Sequence, residues 1–252
     1  MASLTVENYV KTIFKICQQD GVRLATTGRL ASALSVSPGT VTSMLKSLSE
    51  AGLATYTPYE GVQLTDVGSE LALTILRRHR LIESFLARVL DLGWDEIHED
   101  AEQLEHAVSE RLIARIDAFL GEPHFDPHGD PIPRADGSLP RRPLQNLSEF
   151  PLGESFELAQ VSDQSPDFLR YLGSSGFSLG CRGEVIASRP EAGIVTVRLG
   201  DQEISLGTEA AQKVLVCAPE AAVDLVPPAT SDSTSSSVPA PHMRPSSTRT
   251  PH

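Results

Sequence analysis

Apolar residues recur every three or four positions through the first part of the chain and every second position in its later part. Val6, Tyr9, Val10, Ile13, Phe14 and Ile16 make one face of a helix over residues 5–19, with Thr5 as its cap. Thr26 or Thr27 can cap a second helix over 28–34. Ser37, followed by Pro38 in the first-turn position, caps a third that runs to about Ala51 and stops at Gly52. Residues 53–58 and 61–64 read as two short strands joined by the turn Tyr59-Glu60-Gly61, where glycine can supply positive φ. Thr65 caps a long helix over 66–90, and Asp95 caps another over 96–120 that Gly121 and Pro123 end. Residues 125–143 are rich in Pro, Gly, Asp and Arg, lack periodicity and read as a linker. Alternation then sets in, with strands at 183–187, 194–199 and 203–206 and short helical pieces at 168–172 and 209–212, a spacing that suits a small β-barrel. Beyond Pro219 the chain has too little apolar content to fold, and disorder is expected.

Helix, helix, turn, helix and hairpin in that order is the winged helix-turn-helix plan. Val41, Leu45 and Leu48 fall on one face of the third helix and can pack on Leu30, Ala31 and Leu34. Ser37, Thr40, Ser43 and Lys46 stay on the free face, where small hydroxyls and a helix N-terminus can meet phosphates and base edges in a major groove. With Pro38, Thr42 and the hairpin-tip Tyr59 they are the expected DNA-contacting set. So hydroxyl-rich a surface offers few guanidinium contacts to guanine, so useful affinity would require a dimer.

The formal net charge of −12 changes the picture, because it should repel DNA. Its distribution restores the reading. Residues 91–130 hold twelve acidic residues against two arginines, whereas residues 1–90 hold nine basic and seven acidic. A concentrated acidic block that contains histidines is what a cation site would require. Three widely spaced cysteines form no CxxC pair or disulfide framework and fit a reducing cytoplasm. The N-terminus lacks a signal-peptide pattern, and no apolar run approaches the ~20 residues of a membrane helix, so no membrane partner is expected.

Within the acidic block His98, Glu102, Glu105 and His106 sit at i, i+4, i+7 and i+8, which places them on one helix face. His79 and Glu83, at i and i+4, share a face of the preceding long helix. If the two helices pack antiparallel, imidazoles and carboxylates converge, as in metal sites of helical bundles. The donors are oxygen and nitrogen with no thiolate, a set that suits manganese or ferrous iron. The spacing alone separates neither metal sensing from metal catalysis, so a dinuclear metal enzyme of helical-bundle type stands as an alternative. A metal-independent winged-helix regulator with a merely solvated acidic helix is another.

The segments ENYVKTIF, LSVSPGTVTSMLKSLSEAGL, LTDVGSELA, RRHRLIESFL, WDEIHEDAEQLEHAVSE, PHGDPIP and DFLRYLGSSGFSLGCRGEVI together resemble the diphtheria-toxin-repressor family of iron- and manganese-dependent regulators over about residues 4–217. The resemblance implies an α+β chain: a winged helix-turn-helix domain at 1–72, a helical dimerisation and metal-binding domain at 73–140, a linker at 141–150, an SH3-like (FeoA-like) barrel at 151–218 and a disordered tail at 219–252. It also implies a homodimer that binds a palindromic double-stranded operator as a metal-dependent repressor of metal-homeostasis genes. Glu102, Glu105 and His106 match the primary site, to be completed from the first helix by Asn8 or by Glu7. His79, Glu83 and His98 match the ancillary site, with Asp163, Gln164 and Asp167 as candidate further ligands from the barrel. Glutamate at 102, where iron-responsive members usually carry cysteine, points to Mn2+, with Fe2+ as the alternative. Asn8 departs from the aspartate that is common in manganese-responsive members.

Overall fold

The computed structural model describes residues 3–19 and 21–227. Helices α1 (Leu4–Gln19), α2 (Thr27–Ala33) and α3 (Pro38–Glu50) lead into the antiparallel hairpin β1 (Ala54–Thr57) and β2 (Gly61–Leu64). The caps are local chemistry. The hydroxyls of Thr26 and Ser37 accept from the backbone N–H of Arg29 and Thr40, and Pro38 opens α3 where no N–H is needed. Val10, Ile13, Leu30, Val41, Leu45, Leu48 and Val62 fill the core beneath them. At the hairpin tip Gly61 has the expected positive φ, at 143°, and Tyr59 is left-handed as well, at φ 69°. Gly61 is required for a further reason: a Cβ there would lie 2.7 Å from the carbonyl oxygen of Ala25, whose backbone pairs with Val62.

Thr65 caps the long helix α4 (Asp66–Leu90). The single helix expected over 96–120 is two, α5 (Ile97–Leu104) and α6 (Glu110–Leu120). The apolar period runs through the break, so periodicity does not reveal it. Ser109 does, because its hydroxyl accepts from Leu112 N–H and starts a new helix. Asp95 is not the cap of α5; Glu96 holds that position without a side-chain bond. Leu81, Ile82, Leu86, Ile97, Ala101, Ile113 and Leu120 form the second core, between α4, α5 and α6.

Strands β3 (Leu139–Arg141), β4 (Gln145–Asn146), β5 (Ser155–Val161), β6 (Arg182–Arg189), β7 (Ile194–Leu199), β8 (Gln202–Gly207), β9 (Val214–Cys217) and β10 (Asp224–Val226), with helices α7 (Pro166–Ser174) and α8 (Thr208–Gln212), complete the chain. Six strands form an antiparallel sheet in the order β4-β9-β5-β6-β7-β8 around a third core of Phe156, Leu158, Leu169, Leu172, Phe177, Val185, Val197, Leu206 and Val216. β5 and β9, absent from the sequence expectation, are adjacent interior strands of this sheet. Leu147, expected in a linker, belongs to this core. The tail expected from residue 219 is ordered at first: β10 pairs with β3, and residues 228–252 lie outside the described residues.

The largest departure is the segment 125–143, which is packed rather than a free linker. Asp126, His128, Asp130 and Ile132 are buried against α4. The guanidinium of Arg80 reaches the Pro131 carbonyl and the Asp130 carboxylate, and that of Arg77 reaches the Pro133 carbonyl and Asp117. On its other side Val161 N–H donates to the His128 carbonyl at 3.0 Å. This approach requires Gly129, which sits at φ 87° and would place a Cβ 2.0 Å from the Ala159 oxygen. Gly129→Ala is therefore expected to destabilise the protein by about 2–4 kcal/mol, through a strained φ added to a backbone clash, and urea unfolding measures it.

Candidate metal centre

α1, α4 and the α5–α6 turn carry the candidate ligands to one place. Glu105 follows the last residue of α5 and is fully buried. One of its oxygens lies 2.7 Å from His79 Nδ1; the other lies 3.2 Å from His106 Nε2 and 2.6 Å from the ammonium of Lys11. That ammonium is also 2.7 Å from Glu102, which lies 3.8 Å from His98 Nε2. His79, Glu102 and Glu105 thus present donor atoms within 4.8 Å of one another. Their separation on a helix face and the turn at 105–109 bring Glu105 and His106 inward together, although the continuous helix assumed for them is broken.

The first-helix residues divide the work. Asn8 Oδ1 is buried without any hydrogen-bond partner, and Asn8 lines a cleft of about 380 Å³ together with Lys11, His98 and Glu102. A buried acceptor left bare is costly, and a cation would satisfy it. Glu7 takes a different place from that expected: it contacts His106 Nδ1 at 2.6 Å and not the Glu102–Glu105 pair. In that geometry Glu7 accepts the Nδ1 proton and leaves Nε2 as the donor atom, an orienting role that metal-binding imidazoles commonly need.

A second cluster forms around Glu83. His79 Nε2 lies 3.0 Å and His98 Nδ1 3.2 Å from its first oxygen, and the two rings meet edge to face at 5.0 Å. His128 Nδ1 stands 3.7 Å from the second oxygen and has no hydrogen-bond partner, while its Nε2 is 2.7 Å from the Trp94 carbonyl. Glu83, Asp126 and His128 form a fully buried group of potential ligands. Asp126 and His128 escaped the sequence reading because their segment has no periodicity; the PHGDPIP motif was the available signal. The barrel candidates do not join this cluster. Asp163 pairs with Lys213 at 2.9 Å, Gln164 donates to Asp130, and Asp167 is exposed beside Arg170. Each has another partner: Asp163 and Asp167 within the barrel, and Gln164 on the 125–133 loop.

The electrostatics are those of crowded acids and bases. Burial disfavours charge on His79, yet Glu83 and the hydrogen bond to Glu105 outweigh it and push its pKa up to about 9. Burial likewise opposes charge on His128, and Glu83 and Asp126 push it up to about 9. Burial raises Asp126 to about 7, reinforced by Asp130 and Glu83. Glu83 is buried too, but the positive neighbours, His79 first, hold it well below the usual carboxylate range. Two acidic clusters therefore hold their charge by recruiting protons and a lysine, the places that a divalent ion would take.

In the first domain α3 presents Ser37, Pro38, Thr40, Ser43 and Lys46 to solvent, with Thr42 half-buried and Tyr59 fully exposed at the hairpin tip. Ser37 and Thr40 hydroxyls contact each other at 2.9 Å, and the Thr42 hydroxyl donates back to the Pro38 carbonyl. Among the described residues no helix is long and apolar enough to cross a membrane.

Comparison with known proteins covers most of the described residues. Residues 1–62 match the model of the iron dependent repressor N-terminal DNA binding domain, 65–134 that of the iron dependent repressor metal binding and dimerisation domain, and 145–217 that of the FeoA domain. A solved manganese-dependent transcriptional repressor in complex with manganese is 42% identical with a TM-score of 0.77, over 84% of this chain and 99% of that one. The iron-dependent repressor IdeR of Mycobacterium leprae is 29% identical over 84% of this chain and 96% of its own. The diphtheria toxin repressor of Corynebacterium glutamicum is 26% identical over 84% and 95%.

The raised histidines fix a pH dependence. A histidine whose folded pKa exceeds its unfolded value of 6.5 stabilises the fold fully below 6.5 and loses that contribution as pH rises through about 9. Asp126, raised to about 7, adds loss in the same direction on its way up to that pH. The metal-free protein should thus melt several degrees lower at pH 9.5 than at pH 6, measured by calorimetry in chelator.

Proposed function

Because this chain belongs to the diphtheria-toxin-repressor family of metal-dependent, DNA-binding transcriptional repressors, we propose that manganese is the ion it senses and that Asn8, Glu102, Glu105 and His106 hold it. The observation that carries this reading is the meeting of α1 and the α5–α6 turn around the buried Glu105 carboxylate, with Asn8, whose oxygen is bare, lining one cleft with Glu102. The donors are carboxylate, amide and imidazole. No cysteine takes part, and hard donors of this kind suit manganese better than a thiolate-bearing set does. The relative at 42% identity is manganese-dependent by name, whereas the iron-dependent repressor stands at 29%. Ferrous iron is the second reading, since the same donors accept it and affinity alone does not favour manganese. His79, Glu83 and His98, with Asp126 and His128, make up the ancillary site.

The ion would supply a double positive charge between two domains. This chain's residues supply the geometry around it. Glu7 holds the His106 ring by accepting its Nδ1 proton, and Glu105 is fixed through its second oxygen by His79. Asn8 and α1 belong to the DNA-reading domain; Glu102, Glu105 and His106 belong to the dimerisation domain. A ligand set that spans both is complete only in one relative placement, so binding selects that placement, and operator DNA must tighten metal binding in return. Leu90, Leu104, Leu112 and Phe119 leave large apolar surface exposed on α4, α5 and α6, as a homodimer interface requires. The two copies of α3 would then read a palindromic operator in front of metal-homeostasis genes through Ser37, Pro38, Thr40, Thr42, Ser43, Lys46 and Tyr59.

In a gel-shift titration with manganese, Glu105→Ala is expected to lose metal-dependent operator binding, and an unchanged titration curve would overturn the site. Lys46→Ala should weaken operator binding similarly for all sequences and lower the slope of log affinity against log salt by about 1 per protomer.

A further inference from the structure

Lys11 is only 5% exposed, and its side chain spans from α1 to the α5–α6 turn. Its ammonium is bonded at once to Glu102 and Glu105, the two carboxylates assigned above to the metal. The Glu105 oxygen it touches, at 2.6 Å, is also the one that faces His106 Nε2. A divalent ion binds a carboxylate oxygen at about 2 Å, so an ion shared by Glu105 and His106 would occupy the space the ammonium fills. Two cations in that space also repel each other at short range.

We propose that Lys11 is a tethered cation that competes with the metal for Glu102 and Glu105, so that the ion binds only by displacing it, and that this competition sets the metal concentration at which the protein responds. This rests on the assignment of those two glutamates as ligands. Lysine is suited to the task. Its charge is a compact point on a flexible four-carbon stem, able to neutralise two carboxylates and then withdraw. The place to withdraw to is adjacent: Lys11 lines the cleft of about 380 Å³ beside Asn8, Thr12 and Lys15, where the ammonium can be rehydrated. The ammonium also leaves something undone. It donates to both carboxylates but offers nothing to the Asn8 oxygen, which stays without a partner. The lysine-held and metal-held states therefore differ in their hold on α1. Because the ammonium must leave for any divalent ion, the device shifts the threshold for all of them without changing their order.

The test uses full-length, metal-stripped protein and manganese alone, titrated by calorimetry and followed by thermal melting in EDTA. Lys11→Met is the main variant, and Lys11→Gln, which keeps a hydrogen-bonding side chain, guards against misfolding. Both are expected to bind manganese about tenfold tighter or more, to melt lower in EDTA, and so to gain a larger manganese-induced rise in Tm. Lys15→Met, which removes the same charge one turn along α1, should change affinity by less than about threefold. Manganese affinity equal to or weaker than the parent's in both Lys11 variants, while Glu105→Ala abolishes binding, would show the lysine to be a structural tie and overturn the proposal. Full manganese affinity in Glu105→Ala would instead overturn the ligand assignment, and the competition with it.

Discussion

A carboxylate that no water can reach must be surrounded by positive charge, and Glu105 is such a carboxylate. Its neighbours come from three elements: Lys11 from α1, His79 from α4 and His106 from the turn beyond α5. α1 cannot move away alone without taking the Lys11 ammonium from this carboxylate, and breaking a buried charge pair commonly costs about 3–5 kcal/mol. The placement of the first domain on the second is thus tied to the cation content of one small volume. The same group that needs the charge also joins the domains, which is what the proposed metal-dependent clamp requires.

His79 extends that dependence to the second cluster. One ring nitrogen faces Glu105 and the other faces Glu83, so the two acidic groups share a single imidazole. A proton or an ion gained on one side changes what the ring can offer the other. Glu83 in turn is faced by His98 and by His128, whose loop is locked between α4 and the barrel by Arg80 and by the close approach of Gly129 to β5. The barrel therefore shapes the ancillary cluster through the 125–133 loop rather than by lending it ligands, since Asp163, Gln164 and Asp167 are engaged elsewhere.

What the sequence displayed was local. Thr26, Ser37 and Thr65 announce their helices because a cap hydroxyl bonds an N–H two or three residues on. His79 and Glu83 meet because four residues make a helical turn. Glu105 and His106 stay inward even though their helix ends at Leu104, since Glu105 is fully buried in the turn that follows and His106 contacts it. What stayed hidden was set by distance along the chain. Lys11 looks like any polar residue of an amphipathic helix until Glu105, 94 residues later, closes over it. Asp126 and His128 sit in a Pro- and Gly-rich stretch that resembles a linker, and only its burial against Arg80 and Ala159 makes it part of a site. Glu7 and Asn8 are adjacent, and only the fold decides that the carboxylate goes to the imidazole and the amide is left bare.

The net charge of −12 then ceases to be a paradox for a protein that reads DNA. Acidic residues crowd the 91–130 segment of the dimerisation domain, and the exposed α3 surface carries hydroxyls and Lys46 with no carboxylate among the proposed contact residues. Such a surface makes short polar contacts but gains little from counterion release, the term that drives most non-specific binding to DNA. On the proposed contact set a single copy would hold a duplex weakly, and two copies at a fixed spacing would hold it much better, because the second contact becomes intramolecular. A weak reading surface is the one on which a change in spacing has the largest effect. A strongly basic reading head would grip DNA whatever the placement of its neighbour, and a cation-dependent hinge behind it would have little left to control.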